Sequence, residues 1–317
     1  MSEYETLQRQ AILVATTRLI VPLHLAGNTT EQQNRQLREY LSEAVERAHK
    51  TAIEQLDQQS VQTVLEAEQK LKSEVAELIV KAVERHTVSD KYKSEESGSD
   101  RVYPPTYRVR PVEAQVTEIR KVFPNLGGCQ EKLAHRQVPQ GAEAWFAIPR
   151  WQALAPAYNQ AAEVLIDAVA ARRRFSNRLI GKLGETYLRQ TERTKLAERI
   201  LADQQQDSDI LVVAAQAGML HRGSSARRTR AAVAGNEFGL GVFAFGCMLL
   251  THPERLSTCE TLMVDCCGDE YSAHGDYTFD RVPLFDYDLS GIEFSIFYED
   301  RARSLWGSPT GFLYKVV

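Results

Sequence analysis

The sequence predicts an α+β protein, with a helical hairpin or coiled-coil arm at its N-terminus, a linker, and a C-terminal domain of helices around a small sheet. Three observations carry that expectation. From Glu31 to Ser97 there is neither glycine nor proline, as a long helical stretch requires. The apolar run Ile210 to Ala215, bounded by Asp209 and Gly218, reads as a buried strand. The run Phe238 to Leu250 carries no charge and is apolar on several faces, which suits a core helix. It is too short to span a bilayer, which needs about 20 residues.

In chain order, Leu7, Ala11, Val14 and Val21 fall at helical spacing until Pro22 ends the helix. Thr30 and Gln33 match a capping box, in which two side chains reciprocally satisfy free N–H groups. Leu37, Leu41, Ala44 and Ala48 then form one narrow stripe, and Val61, Val64, Leu71, Val75, Leu78 and Ala82 a second. This is the pattern of a helical hairpin or coiled coil. The arm is expected over residues 1–90, with a surface for self-association or a partner helix at 31–86. Residues 91–110 are polar and then proline-bearing and read as a linker, leaving 111–317 as the globular domain.

Within that domain, Val112 to Val122 reads as a helix stopped by Pro124, and the aromatic stretch Trp145 to Trp151 as packing around Pro149. Trp151, Leu154, Tyr158, Ala161, Leu165, Val169 and Phe175 predict one helix reaching Ile180. Leu188 to Leu201 reads as another helix with a solvated, charge-alternating face. After the strand at Ile210, Ser224 or Ser225 caps a short helix that stops at Gly235. Thr251 and Pro253 mark a helix stop and restart, and Thr261 to Cys267 a strand. Leu284 to Tyr287 and Ile292 to Tyr298 flank a turn as a hairpin does, and a short helix is expected at Arg301 to Trp306.

The 317 residues, 43% hydrophobic and 25% charged, suffice for two domains. The net charge of −4 hides an uneven distribution. Arg172 to Arg230 holds thirteen Lys/Arg against six Asp/Glu, whereas Pro253 to Asp300 holds two against twelve. The basic turn Arg222, Ser224, Ser225, Arg227, Arg228 and Arg230, with Arg173 and Arg174, is the candidate site for phosphate or nucleic acid. Helix N-termini offer free N–H groups, and arginine adds bidentate donors. The competing expectation is that these arginines pair with the acidic end of the same chain.

Other chemistry is weaker in the sequence. Asp265, Asp269 and Glu270 follow a strand and offer oxygen ligands, but they match no EF-hand loop, so no metal is expected. Five cysteines, an odd number without a C-x-x-C, suggest a reducing compartment. Cys266 and Cys267 would point to opposite faces of a strand. A nucleophilic cysteine with His274 or His221 as base is the alternative. Gly239-x-Gly241-x-x-Ala244 has the form of a dinucleotide fingerprint, but a strand should directly precede it, and close helix packing explains the glycines better. Phosphate-loop, nucleophile-elbow, zincin and kinase motifs are absent from the sequence. The start carries no basic region leading into an apolar segment, so a cytoplasmic location without membrane contact is expected. The function expected is a non-catalytic interaction or assembly protein without a cofactor, whose basic site takes phosphate or nucleic acid. The alternatives are a nucleic-acid-associated accessory protein and a metal- or cysteine-dependent enzyme.

Overall fold

Strand β4, Ile210–Gln216, forms from the expected apolar run, and each of its residues is buried. A strand buried on both faces must divide its residues between two cores, because successive side chains point to opposite sides. Leu211, Val213 and Ala215 join one core and Ile210, Val212 and Ala214 the other. The computed structural model describes residues 90–317 except 234, 290 and 315–317, together with seven isolated helical positions between Glu39 and Val75. Apart from those positions, the arm expected over 1–90 and its surface at 31–86 lie outside the described residues. Contacts divide the chain into units 1–85 and 86–317, so the stretch 91–110 falls in the second unit. That unit mixes helices with two sheets.

The first sheet is antiparallel, in the order β1–β4–β11–β5, with β1 at Ala144–Pro149, β11 at Thr310–Phe312 and β5 at Glu237–Gly239. Residues 145–151, expected only as aromatic packing, thus supply an edge strand. Its outer backbone groups are satisfied by Gln115 of helix α1, Val112–Val122. Gln115 Nε2 donates to the Trp145 carbonyl at 3.0 Å, and its Oε1 accepts from Ala147 N at 2.9 Å. Where β11 stops short of β4, Gln205 does the same for Val212, at 3.0 and 2.8 Å. Each glutamine supplies the ladder bonds of a missing strand, which buried backbone groups require.

The second sheet runs β10–β6–β8–β7–β3: Trp306–Gly307, Met263–Asp265, Phe279–Asp288, Asp269–Ser272 and Leu188–Gln190. The expected hairpin is β8 with β9, Gly291–Tyr298, and β9 also pairs with β2, Phe175–Asn177. The larger core draws residues from both sheets and from helices α2, Tyr158–Ala170, and α5, Val242–Thr251. All residues of α5 except Leu250 are buried. Gly246 is what lets α5 approach α2, since a Cβ there would lie 2.5 Å from Leu165 Cδ2.

Several boundaries differ from expectation for local reasons. The helix expected from Trp151 is a short 3-10 turn, Trp151–Ala153, followed by α2. Pro156 lies between them and disfavours helical backbone at the residue before it. Leu188–Gln190 is strand β3, and helix α3, Glu192–Gln204, starts only after Thr191, whose side chain accepts from Thr194 N at 3.2 Å. Phe238 and Gly239 belong to β5, because β11 pairs with them, and α5 begins at Val242. Residues 301–306 form a turn leading into β10 rather than a helix. Helix α4, Ala226–Ala232, is capped by Ser225 as expected. Among the described residues no helix is long and apolar enough to cross a membrane.

Candidate functional site

The basic turn is engaged within the chain. Ser225 Oγ accepts from Arg228 N at 2.9 Å, which caps α4, and donates to Glu95 Oε2 at 2.7 Å. Arg227 pairs with Glu95 and stacks over the Tyr92 ring at 4.3 Å. Arg228 pairs with Glu96 at 2.5 Å, and Arg230 with Glu299 and the Cys267 carbonyl. Arg222 donates to the Arg101 carbonyl at 3.4 Å, and Ser224 forms a β-bridge with Glu96. Burial alone would raise the Glu95 carboxyl, but hydrogen bonds from Arg227 and Ser225 overcome it and hold the group low. Arg173 lies elsewhere, donating to the Leu256 carbonyl at 2.7 Å, and the Arg174 carbonyl accepts from Ile292 N. Two of the carboxylates come from the stretch read as a linker and one from the acidic end.

The acidic trio disperses. Asp265 binds Ser308, Glu270 pairs with Arg189 at 2.7 Å, and Asp269 turns inward to Tyr158. Among the described residues no group of three or more His, Cys, Asp or Glu could hold a metal ion. The thiols of Cys247, Cys266 and Cys267 are pushed up by burial, away from the reactive thiolate. His221 contacts Glu237 at 2.7 Å instead of a cysteine. At the glycine fingerprint, the N–H that opens α5, Val242 N, is taken by Asp269 Oδ2 at 2.7 Å.

The open chemistry lies in a cavity of about 370 Å3 between the first sheet and helices α3 and α5. That volume lies in the range of small-molecule sites. Its apolar lining includes Ile148, Leu211, Val213, Phe238, Leu201 and Phe243. Its polar lining includes Arg150, Trp151, Gln190 and Glu198. Local structure aims α3 at this space. Thr191 caps the helix, and Thr194 Oγ1 donates to the Gly239 carbonyl at 2.9 Å, docking the first turn on β5. Glu198 stands four residues after Thr194 and so shares its inward face. At the other end Arg150 Nη2 donates to the Ala202 and Gln205 carbonyls at 2.8 and 2.7 Å, a cation on the helix's unpaired carbonyls.

Gln190 is 4% exposed, and its Nε2, shielded from solvent, approaches the Glu198 carboxyl without closing a full hydrogen bond; Arg150 Nε is likewise shielded. Burial pushes the Glu198 carboxyl up to about 7, and the facing Gln190 and Trp151 side chains draw it only partly back. Beyond Trp151, whose ring meets Tyr158 edge-on at 6.1 Å, Tyr158 O–H donates to Asp269 at 2.7 Å. Burial pushes Asp269 up to about 7 as well; the Val242 and Tyr158 donors pull it down, and the Glu198 charge adds to the rise. The cavity therefore combines apolar walls with a carboxyl that exchanges its proton near neutral pH.

Comparison with known protein families, with curated proteins and with solved structures finds no match for the chain. Arg150, Gln190 and Glu198 were not among the residues singled out by the sequence. Glu198 belongs to a helix whose charges alternate, yet it lies on the face that buries Thr194, Ala197 and Leu201. A charged residue in phase with a buried stripe was the available signal.

Proposed function

We propose that the 86–317 unit is a small-molecule binding module whose ligand sits in the cavity between α3, α5 and the first sheet. The observation that carries this reading is the cavity itself, about 370 Å3 with the apolar side chains of Leu201, Leu211, Val213, Phe238 and Phe243 in its lining and the Glu198 carboxyl among them. Apolar surface of this kind gains about 25 cal/mol for each Å2 that a ligand covers. The test compares melting temperatures of the wild-type chain and an Ala202→Trp variant across a set of small metabolites. Ala202 is half-buried and lines the cavity, so the indole fills the space from a tolerant position. At least one compound should raise the midpoint of the wild type and leave the variant unchanged. A set in which every stabilising compound acts on both chains equally refutes the reading.

A second reading concerns assembly. The two apolar stripes within a stretch free of glycine and proline favour self-association or a partner helix through residues 31–86. Sizing of the full chain against a chain beginning at residue 90 tests it; equal protomer numbers in both would end it. For the phosphate or nucleic-acid reading of Arg222, Ser224, Ser225, Arg227, Arg228 and Arg230, the ion pairs to Glu95, Glu96 and Glu299 weigh on the other side.

A further inference from the structure

Resting on the cavity reading above, we propose that the ligand is a small hydrophobic amine, its ammonium group seated on the Glu198 carboxylate and its apolar body against the walls. The head follows from the bonding of the acid itself. Glu198 lines the cavity and is half-buried. Among the described residues its carboxyl closes no full hydrogen bond, and neither of its oxygens is shielded from the open space. An ionised carboxyl offers about four lone-pair sites, so the approach of Gln190 and Trp151 leaves room for a further donor. The cations of the lining are placed elsewhere. Arg150 Nη2 donates to the Ala202 and Gln205 carbonyls, and Lys195 Nζ pairs with Glu192 at 2.7 Å. Arg199 is exposed and stands one position after Glu198, about 100° round the helix. Burial, Gln190 and Trp151 set the proton affinity of Glu198, and none of these three cations contributes. An acid in an apolar wall that the chain supplies with no cation is complemented by a cationic donor, whose charge-assisted bond is about twice as strong as a neutral one. The body follows from the walls. Leu201, Leu211, Val213, Phe238 and Phe243 offer surface that an apolar chain or ring covers. At roughly 30 Å3 for each water-sized group, 370 Å3 holds about a dozen such groups, the size of a phenylalkyl amine.

The pairing depends on pH with a definite sign. The groups that act on Glu198, or on which it acts, are Gln190, Trp151, Asp269, Tyr158 and Cys247 of α5, with Arg150, Lys195 and Arg199 in the same lining. Burial holds the proton of Glu198 up to about 7, whereas an alkyl amine keeps its own to about 10. Above pH 7 the ammonium therefore meets a carboxylate. Below it the site must first release a proton, so affinity falls as pH falls. A neutral ligand of the same shape feels no such loss.

The experiment is isothermal titration of the full chain with phenylbutylamine and, separately, with phenylbutanol and phenylbutyrate. At pH 8 the amine should bind roughly tenfold tighter than the alcohol, and tighter than the carboxylate. Its affinity should fall roughly 30-fold between pH 8 and pH 5.5, and titrations at pH 6 in two buffers of different protonation enthalpy should show about one proton released for each amine bound. Glu198→Gln should weaken the amine roughly tenfold at pH 8, leave the alcohol unchanged, and retain only the share of the pH dependence that Asp269 contributes. An amine that binds no tighter than the alcohol or the carboxylate at pH 8 overturns the assignment, as does amine affinity that Glu198→Gln leaves unchanged. So does amine binding that survives Ala202→Trp, since that places it on the surface. If Glu198→Gln loses the alcohol as well, the wild type decides, and an amine that releases no proton at pH 6 overturns the pairing. In each case the cavity reading still stands if another compound stabilises the wild type and not Ala202→Trp. If no compound does so, both fall together.

Discussion

Replacing Asp269 with asparagine should change how the stability of the 86–317 unit depends on pH. Asp269 is fully buried, accepts from Val242 N and Tyr158 Oη at 2.7 Å each, and is pushed by burial up to about 7. The sign follows from proton binding. In the unfolded chain this carboxyl loses its proton near pH 4, whereas the folded chain retains it until about 7. Unfolding then releases a proton at intermediate pH, so the stabilisation is complete in acid and is lost as pH rises towards the folded value. Between pH 5 and pH 8 the site alone accounts for a loss of about 3 kcal/mol. The substituted asparagine cannot ionise. The variant keeps an amide oxygen for the Val242 N–H but brings a donor with no evident acceptor, a fixed penalty of about 1 kcal/mol. The two stability curves should therefore cross: wild type more stable at pH 4, variant more stable at pH 8. Urea unfolding followed by tryptophan fluorescence measures this, since Trp145, Trp151 and Trp306 all lie in the 86–317 unit and report it alone. Parallel curves, with the same difference at every pH, would show that Asp269 is ionised in the folded protein and would refute the reasoning.

Three further perturbations test the frame around the site. Gly246→Ala drives a methyl into Leu165 at the α2–α5 crossing and should destabilise by about 1–3 kcal/mol, read as a lower urea midpoint with an unchanged slope. Gln115→Leu leaves the Ala147 N–H and the Trp145 carbonyl of the edge strand without partners. It should destabilise by about 1–3 kcal/mol and speed hydrogen exchange at Ala147, and wild-type exchange there would contradict the strand-mimic role. Glu95→Gln combined with Glu96→Gln releases Arg227 and Arg228 from their carboxylates. The double variant should gain salt-sensitive retention on a DNA column, whereas a wild type retained just as strongly would mean that the pairs do not occupy the guanidinium groups in solution.

What the sequence shows and what it conceals divide along chain distance. Strand β4, the β8–β9 hairpin, helix α1 and the Ser225 cap all follow from residues within a few positions of one another. The pieces that escape such reading are short or completed from afar. Strands β3, β10 and β11 run two or three residues, too few to show a period. β1 alternates Trp145 and Ala147 against Phe146 and Ile148, but proline ends it and no turn signal announces its partner. The cavity is harder still, because Arg150, Gln190 and Glu198 lie on three separate segments that only the packing of α3 brings together.

The same distance effect misdirects attention to charge. A cluster such as Arg222 to Arg230 looks available in a sequence because its carboxylates, at 95, 96 and 299, are more than sixty residues away. Leu211, Val213 and Phe238, by contrast, look like any core residues. Once the chain is folded, the arginines have found their acceptors, while those side chains line a cavity that the chain itself does not fill. Apolar surface left uncovered by the chain itself is what a ligand can use. By that criterion the wall of the α3–α5 cavity ranks above the most highly charged turn in the molecule.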